Sequence, residues 1–346
     1  MHPNLAFERS LDLEQAQRRP RAVFVQDTPD SSPLLLKLQR ALLRQWPVIS
    51  VILGLSLLAA AAQIYFGVPR PLAVIAGALA IGGTLALLVA AGRETWRDAI
   101  DFNDLHERLR VTVLGAAPNV AAADLRQLPP DKRSPVGLVM LQPAAAIATA
   151  FRDLQHALPD GAVISFISPL PGAGATSAAM CAAISATQHG RNVILVDCDL
   201  RHRSLTKALA MEPEDGLLEA CEDPDAWRDY VIEEPETGLH VLPAARARSP
   251  WASLMAEAGF PLIIDQLREA YDLVLLDCPP AIGAAEGALL ARLAERRVIV
   301  AAWDETPFSA LRNALRSLKA RPMSAASGVL MNRAPAGQRI IPERAA

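Results

Sequence analysis

Aromatic residues are scarce in this chain, 5% of 346 residues, and only three of them are tyrosines. Cysteine is rarer than in any disulfide-built fold: four residues, at 181, 198, 221 and 278. They form neither the close pairs of a zinc site nor a disulfide framework, and read as small buried hydrophobes in a reducing compartment. A basic surplus is missing too. With 34 Lys and Arg against 37 Asp and Glu the net charge is −3, which speaks against a nucleic-acid partner. His156, His189 and His202 have no cysteine at ligand spacing, so no conventional metal centre is indicated. Internal repeats are absent, and so are low-complexity tracts beyond a heavy use of alanine.

What the chain does have is apolar surface, 51% of residues, with a mean hydropathy of +0.21. Much of it sits in two runs without a charge, Gln45 to Pro69 and Pro71 to Gly92. Each is about 20 residues long, the length that crosses the hydrocarbon of a bilayer. The expectation is a two-helix transmembrane hairpin over 46–92, with spans at 46–66 and 71–92 joined by Gly67–Arg70. Lys37, Arg40 and Arg44 precede it and Arg93 and Arg97 follow it, so the basic excess places both termini and the main domain on the cytoplasmic side. Residues 1–45 read as a polar, proline-broken arm ending in an amphipathic lead-in helix at 34–45. Residues 93–134 read as a charged juxtamembrane helix, a short strand and a proline-rich linker.

From 135 to 335 strand and helix patterns alternate. Apolar runs at 162–168, 192–196, 239–242, 272–276, 297–301 and 328–331 read as strands, and 176–188, 262–270 and 307–318 as helices. Near-continuous apolar strands between helices predict an α/β fold with a parallel sheet covered on both faces. Residues 336–346 are left as a tail.

The turn after the first of these strands reads Ser168-Pro-Leu-Pro-Gly-Ala-Gly-Ala-Thr176. A nucleotide-binding P-loop places glycines in a tight strand-to-helix turn so that backbone N–H groups surround phosphates. A lysine then reaches the outer phosphates, and a Ser or Thr hydroxyl binds magnesium. Gly172 and Gly174 supply the turn, Thr176 takes the hydroxyl position, and Ala175 stands where lysine is needed. Alanine offers only its backbone N–H, so a phosphoryl transfer here lacks one fixed cation, a loss of several kcal/mol by analogy with deleting a single transition-state donor. Two further signals lie at strand ends: Asp197 and Asp199, which share a side by the period of two, and Asp277, placed where a carboxylate meets hydrated magnesium. Arg201 and Arg203 follow the first pair and face either a phosphate or solvent.

These segments together resemble the cytoplasmic part of bacterial tyrosine autokinases, the polysaccharide co-polymerases of the wider MinD/ParA group of deviant P-loop ATPases. The resemblance rests on Pro171 to Thr176, on Asp197, Asp199, Leu200 and Arg201, on Tyr271 to Pro280, on Leu242 to Ala244, Thr306 and Gly328 to Arg333, and on Val113 to Pro118. It covers about 240 residues. It implies a P-loop NTPase-like domain at 135–335, with Gly172, Gly174, Ala175, Thr176 and Arg201 at the nucleotide. It implies a magnesium site at Thr176, Asp199 and Asp277, and Asp197, Asp199 and Asp277 as the catalytic candidates of an active domain. Mg-ATP or Mg-ADP is the implied cofactor, unless none is required. Inner-membrane polysaccharide synthesis and export proteins are the implied partners, in homo- or hetero-oligomers, and a bacterial inner-membrane, multi-pass location goes with them.

Four departures stand against that pattern. Ala175 replaces the catalytic lysine. Of the family's oligomerisation pattern before the first strand, Thr149, Arg152 and Gln155 retain only the arginine, leaving Arg152 as the interface candidate. No tyrosine follows Tyr271, where the family carries a tyrosine-rich tail. Gly67–Arg70 stands where the family has a periplasmic chain-length domain. Together they point to a pseudokinase-like, membrane-anchored scaffold or regulator of exopolysaccharide or capsule synthesis and export. Two alternatives remain open: an active Mg-ATPase or tyrosine autokinase with a substitute cation from Arg201, Arg203 or a neighbouring subunit, and a MinD/ParA-like positioning protein.

Overall fold

The structure is a computed structural model, and it describes residues 111–245, 259–283, 285–318 and 328–335, strands at 23–26 and 338–341, and short stretches between 50 and 109. The strands are β1 (Val23–Gln26), β2 (Val113–Pro118), β3 (Ala162–Ile167), β4 (Val193–Asp197), β5 (Ile232–Glu234), β6 (Leu239–Leu242), β7 (Leu273–Asp277), β8 (Arg296–Ala302), β9 (Gly328–Ala334) and β10 (Gln338–Ile341). Eight of them form one sheet in the order β2-β9-β8-β3-β7-β4-β6-β5. Every pairing in it is parallel except that of the edge strand β5 with β6. The fold is therefore the mostly parallel α/β sheet expected from the apolar runs.

Helices cover both faces: α1 (Ala122–Arg126), α2 (Pro135–Leu141), α3 (Ala146–His156), α4 (Ala175–Gln188), α5 (Ser204–Ala208), α6 (Leu217–Glu222), α7 (Gly259–Ala270), α8 (Ala285–Leu293) and α9 (Phe308–Leu318). Alternation along each central strand divides the interior into two cores. Val193, Leu195, Leu273 and Leu275 face one core together with residues of α2, α3 and α4. Ile194, Val196, Val274 and Leu276 face the other, with residues of α6, α7, α8 and α9. Burying one such side chain contributes about 1.5–3 kcal/mol, so this two-sided burial dominates the stability of the sheet.

Alanine has its structural use in α4. Ten of its residues are buried, six of them alanines. Small side chains let this helix lie close against the strands that flank its loop, and so fix where its amino end points.

The segment read as a linker is part of the folded domain, and the domain begins earlier than residue 135. Strand β2 pairs with β9 at the sheet edge. Pro130 and Pro135 each occupy the first turn of a helix, a short 3-10 turn at Pro130–Lys132 and α2, where a missing N–H costs nothing. Ser134 caps α2 by accepting a hydrogen bond from the Gly137 N–H at 3.0 Å. Within the predicted arm and tail, β1 and β10 pair antiparallel.

The chain divides into two units, one of residues 1–27 with 99–346 and one of 28–98. In the smaller unit the described residues from 50 to 65 and from 77 to 85 are helical. The two stretches meet at Gly82, where an added Cβ would lie 2.2 Å from the Ser56 hydroxyl.

The multi-pass membrane arrangement requires correction. Among the described residues no single helix is long and apolar enough to cross a membrane. Among the described residues, one pair of consecutive helices is long and apolar enough only when taken together, α2 with α3, outside the apolar runs and bent by 81°. Both helices bury their apolar faces in the domain core, as Leu138, Val139, Phe151 and Leu154 show, so their hydropathy is spent on the sheet. This overturns the inner-membrane placement with both termini cytoplasmic that charge asymmetry predicts. Parts of the runs 46–66 and 71–92, the lead-in at 34–45 and most of 93–110 lie outside the described residues.

Candidate functional site

In a parallel sheet the crevice at the carboxyl ends of the central strands receives loops from neighbouring strands. Here those ends belong to β3, β4, β7, β8 and β9. The turn from β3 into α4 needs two left-handed residues, and glycine fills both: Gly172 at φ +83° and Gly174 at φ +92°. Gly174 is also the residue before the first turn of α4, and its missing side chain makes room for a neighbour. A Cβ there would lie 2.2 Å from Nδ2 of Asn332.

Ala175 opens α4 and is buried. Thr176 follows it, half-buried. Asp277 ends β7 with its side chain on the core face that α4 covers, the face of Leu273 and Leu275. Its carboxylate is 1% exposed, and neither oxygen has a hydrogen-bond partner. Burial pushes this carboxyl well above its ordinary value, with Asp197 and Asp199 pushing the same way and Thr176 opposing.

Asp197 is register partner to Asp277 on the adjacent strand, yet its chemistry is different. It accepts hydrogen bonds from the Thr206 N–H at 2.9 Å, the Thr206 hydroxyl at 2.7 Å and the Asp199 N–H at 3.1 Å. Thr206 Oγ1 in turn accepts from the Ala244 N–H at 2.9 Å. Asp197 thus ties β4 to α5 and to the loop after β6. Burial raises its pKa, and the Thr206 and Asp199 hydrogen bonds offset part of that.

Asp199 is also engaged, accepting from the His202 N–H at 3.0 Å and the Ser204 hydroxyl at 3.0 Å, with His202 Nδ1 at 3.2 Å. Arg203, a candidate substitute cation, is turned elsewhere: its Nε donates to the Ala244 carbonyl at 2.8 Å and Nη2 lies 3.7 Å from Glu212. Arg201 is exposed on the turn after β4. Arg152, the interface candidate, sits on α3, where its Nη2 donates to the Thr149 hydroxyl at 3.0 Å.

The sequence reading missed the residues that brace the loop from the other side. Asn332, near the end of β9, donates from Nδ2 to the Ala173 carbonyl at 2.9 Å. Arg333 donates from Nη2 to the Gly172 carbonyl at 2.9 Å and from Nη1 to Glu305 at 2.5 Å. Both belong to the Gly328–Arg333 segment, so a signal was present in the motif, but nothing in its spacing shows what it touches.

The donor set fits Mg-nucleotide in part. An orphaned, buried carboxylate on the phosphate-helix face, with a threonine hydroxyl opposite, suits a hydrated magnesium held mainly by phosphates, which needs only one or two protein ligands. Among the described residues no group of three or more His, Cys, Asp or Glu forms a self-sufficient metal site. The glycine turn and the amino end of a 14-residue helix suit phosphate. The loop's own lysine is missing.

Sheet order, glycine turn and strand-end carboxylate together define the class, a P-loop NTPase-like domain. The AAA domain family matches residues 161–310. The kinase domain of the Escherichia coli tyrosine kinase ETK is similar in fold, with a TM-score of 0.60 at 18% identity over 68% of this chain and 96% of that one. The BceF tyrosine kinase domain gives 0.58 at 22% identity, over 68% of this chain and all of that one. Among curated proteins, the putative tyrosine-protein kinase EpsB of Ralstonia solanacearum is 27% identical over 261 residues, 72% of this chain and 35% of that protein. The succinoglycan biosynthesis transport protein ExoP of Rhizobium meliloti (strain 1021) is 27% identical over 207 residues, 57% of this chain and 26% of that protein. The chain thus spans about a third of the length of these relatives or less. Over most of its folded domain the chain is similar to bacterial tyrosine-protein kinases and to a succinoglycan biosynthesis transport protein.

Proposed function

We propose that this protein is a kinase-like regulator or scaffold of exopolysaccharide or capsule synthesis, whose phosphate loop senses nucleotide and does not transfer phosphate. One observation carries the reading: Ala175 occupies the lysine position of a loop that keeps its glycine turn, Thr176 and the orphaned Asp277. Gly172, Gly174 and the amino end of α4 would hold phosphates, and Thr176 and Asp277 would hold hydrated magnesium. Bound Mg-nucleotide would supply the charge that Asp277 lacks a partner for. Asp197 and Asp199 are committed to hydrogen bonds within the fold, so their contribution is to set the position of α5 and the turn before it.

The relatives' names supply the context, succinoglycan transport in one case and tyrosine kinases in the others. Polysaccharide synthesis and export proteins are the partner class that follows. An active Mg-ATPase is the second reading, favoured by the retained Thr176 and Asp277.

Calorimetric titration of the full chain with Mg-ADP and Mg-ATP, beside Asp277→Ala and with a phosphotyrosine assay in parallel, separates the two. Saturable binding that Asp277→Ala abolishes, without phosphotyrosine or released phosphate, supports a sensor. Turnover that Asp277→Ala abolishes overturns it in favour of the enzyme.

A further inference from the structure

Removing a lysine from a phosphate loop leaves a specific deficit: one fixed positive charge next to the oxygens of a polyphosphate. Arg333 lies where that deficit is. Strands β3, β8 and β9 run parallel and side by side, so the end of β9 reaches the same crevice as the loop after β3. Asn332 and Arg333 cross to that loop together, one to the Ala173 carbonyl and the other to the Gly172 carbonyl, both at 2.9 Å.

We propose that Arg333 is the substitute phosphate-binding cation of this site, a guanidinium delivered from β9 in place of an ammonium delivered from α4, and that the ligand is the diphosphate of a nucleotide. The inference rests on the reading that the loop takes a nucleotide, and adds which residue makes that binding work without lysine.

Four features of the geometry support it. Arg333 holds a left-handed backbone, φ +56°, a conformation that costs a non-glycine residue free energy and persists where surrounding contacts enforce it. Two contacts enforce it here: its N–H donates to the Asn332 side-chain oxygen at 3.0 Å, and the Asn332 amide nitrogen is fixed on the loop. Second, the guanidinium is fastened at two points, Gly172 and Glu305, yet its side chain is 40% exposed, so a ligand can reach it. A guanidinium has five N–H donors in a planar fork, and two contacts leave donors for phosphate oxygens. Third, a guanidinium is a planar fork that can meet two phosphate oxygens at once, which suits it to take over a lysine's place beside a diphosphate. Fourth, Arg203 is committed to Ala244 and Glu212, so it does not fill the role.

The helix end alone would not make this a site. The independent sign of a ligand is Asp277, buried, without a partner, on the face that α4 covers. A carboxylate in that state wants a cation, and a hydrated magnesium brought in by a diphosphate provides one. Glu305 holds Nη1 and neutralises part of the guanidinium, so it restrains the affinity of the loop.

The experiment is calorimetric titration of Mg-ADP into the full chain and into Arg333→Gln, Arg333→Ala, Ala175→Lys, the Arg333→Gln/Ala175→Lys double variant and Glu305→Gln, at low and high salt, with thermal melts of each. Arg333→Gln keeps a donor for Gly172 without the charge. It is expected to weaken binding about tenfold or more, the worth of one charge-assisted hydrogen bond, while its melting curve stays that of the parent. Restoring a cation from the helix in the double variant is expected to recover the loss, and Glu305→Gln to tighten binding. Parent-like affinity in both Arg333 variants overturns the proposal, and so does a loss that Ala175→Lys fails to rescue, since Arg333 then only braces the loop. If the parent chain itself binds no Mg-ADP, the nucleotide reading of the loop fails, and this inference falls with it.

Discussion

Asp277→Asn tests the central electrostatic feature of the site. Asp277 lies among Asp197 and Asp199 with no hydrogen bond to either oxygen, and burial holds its carboxyl well above the ordinary value of 3.8. The sign follows from proton linkage. The folded state binds this proton more tightly than the unfolded chain, so the native state loses stability as pH rises from the unfolded pKa to the folded one. Above both, the deficit is about 1.4 kcal/mol for every unit by which the folded pKa exceeds the unfolded one. Replacing the carboxylate by a neutral amide of the same shape removes that deficit. For a domain of this size each kcal/mol moves the melting temperature by about 2–4 °C, so a rise of at least that much is expected at about pH 8. Near pH 4, where the unfolded carboxyl is half protonated, the difference between Asn and Asp is expected to shrink towards zero. Differential scanning fluorimetry across that range reads it directly. A melting temperature that falls at high pH, or a rise independent of pH, refutes the assignment of Asp277 as an uncompensated buried carboxylate.

Thr206→Val removes the hydroxyl that bridges Asp197 and the Ala244 N–H. It is expected to cost about 2–4 kcal/mol in chemical denaturation, two lost hydrogen bonds with buried groups left behind, and Thr206→Ser is expected to recover most of it. Gly174→Ala combines φ +92° with a 2.2 Å approach to Asn332, so it is expected to destabilise by about 1–3 kcal/mol and to abolish nucleotide binding. Adding Asn332→Ala relieves the clash and leaves the backbone cost. All four thiols are buried; burial raises the pKa of Cys181 and Cys198, and pushes Cys221 up to about 12. Alkylation near neutral pH, followed by intact mass, is expected to leave the native chain unmodified and to label four sites only in denaturant.

The parallel sheet is legible in the sequence because its strands are buried on both faces. A run such as Val193–Val196 has no polar position to mask its hydropathy, and the predicted strand limits fall within a few residues of the observed ones. The edge was harder. Val113–Pro118 is rich in small residues, and the prolines after it suggested a linker, although Pro130 and Pro135 in fact begin helical turns. The apolar runs at 46–92 show the limit of hydropathy, which measures how little a segment wants water and not what covers it; among the described residues no single helix is long and apolar enough to cross a membrane. Loop glycines and strand-end aspartates stand out by type and spacing. The division of labour between Asp197, saturated with hydrogen bonds, and Asp277, without any, depends on which face each core covers, and Asn332 reaches Ala173 from 159 residues away.

That last separation bears on how the protein is made. Ribosomal synthesis delivers the loop after β3 long before β9, and β9 fits between β8 and β2 in the finished sheet. Until β9 docks, the loop has neither Asn332 nor Arg333 against its carbonyls, and the sheet is open between an early strand and a late one. A nascent chain is therefore barred from a finished phosphate site until nearly the whole domain has emerged, however early its glycine turn has formed. Nucleotide cannot template the first stages of folding; it can only reward their completion.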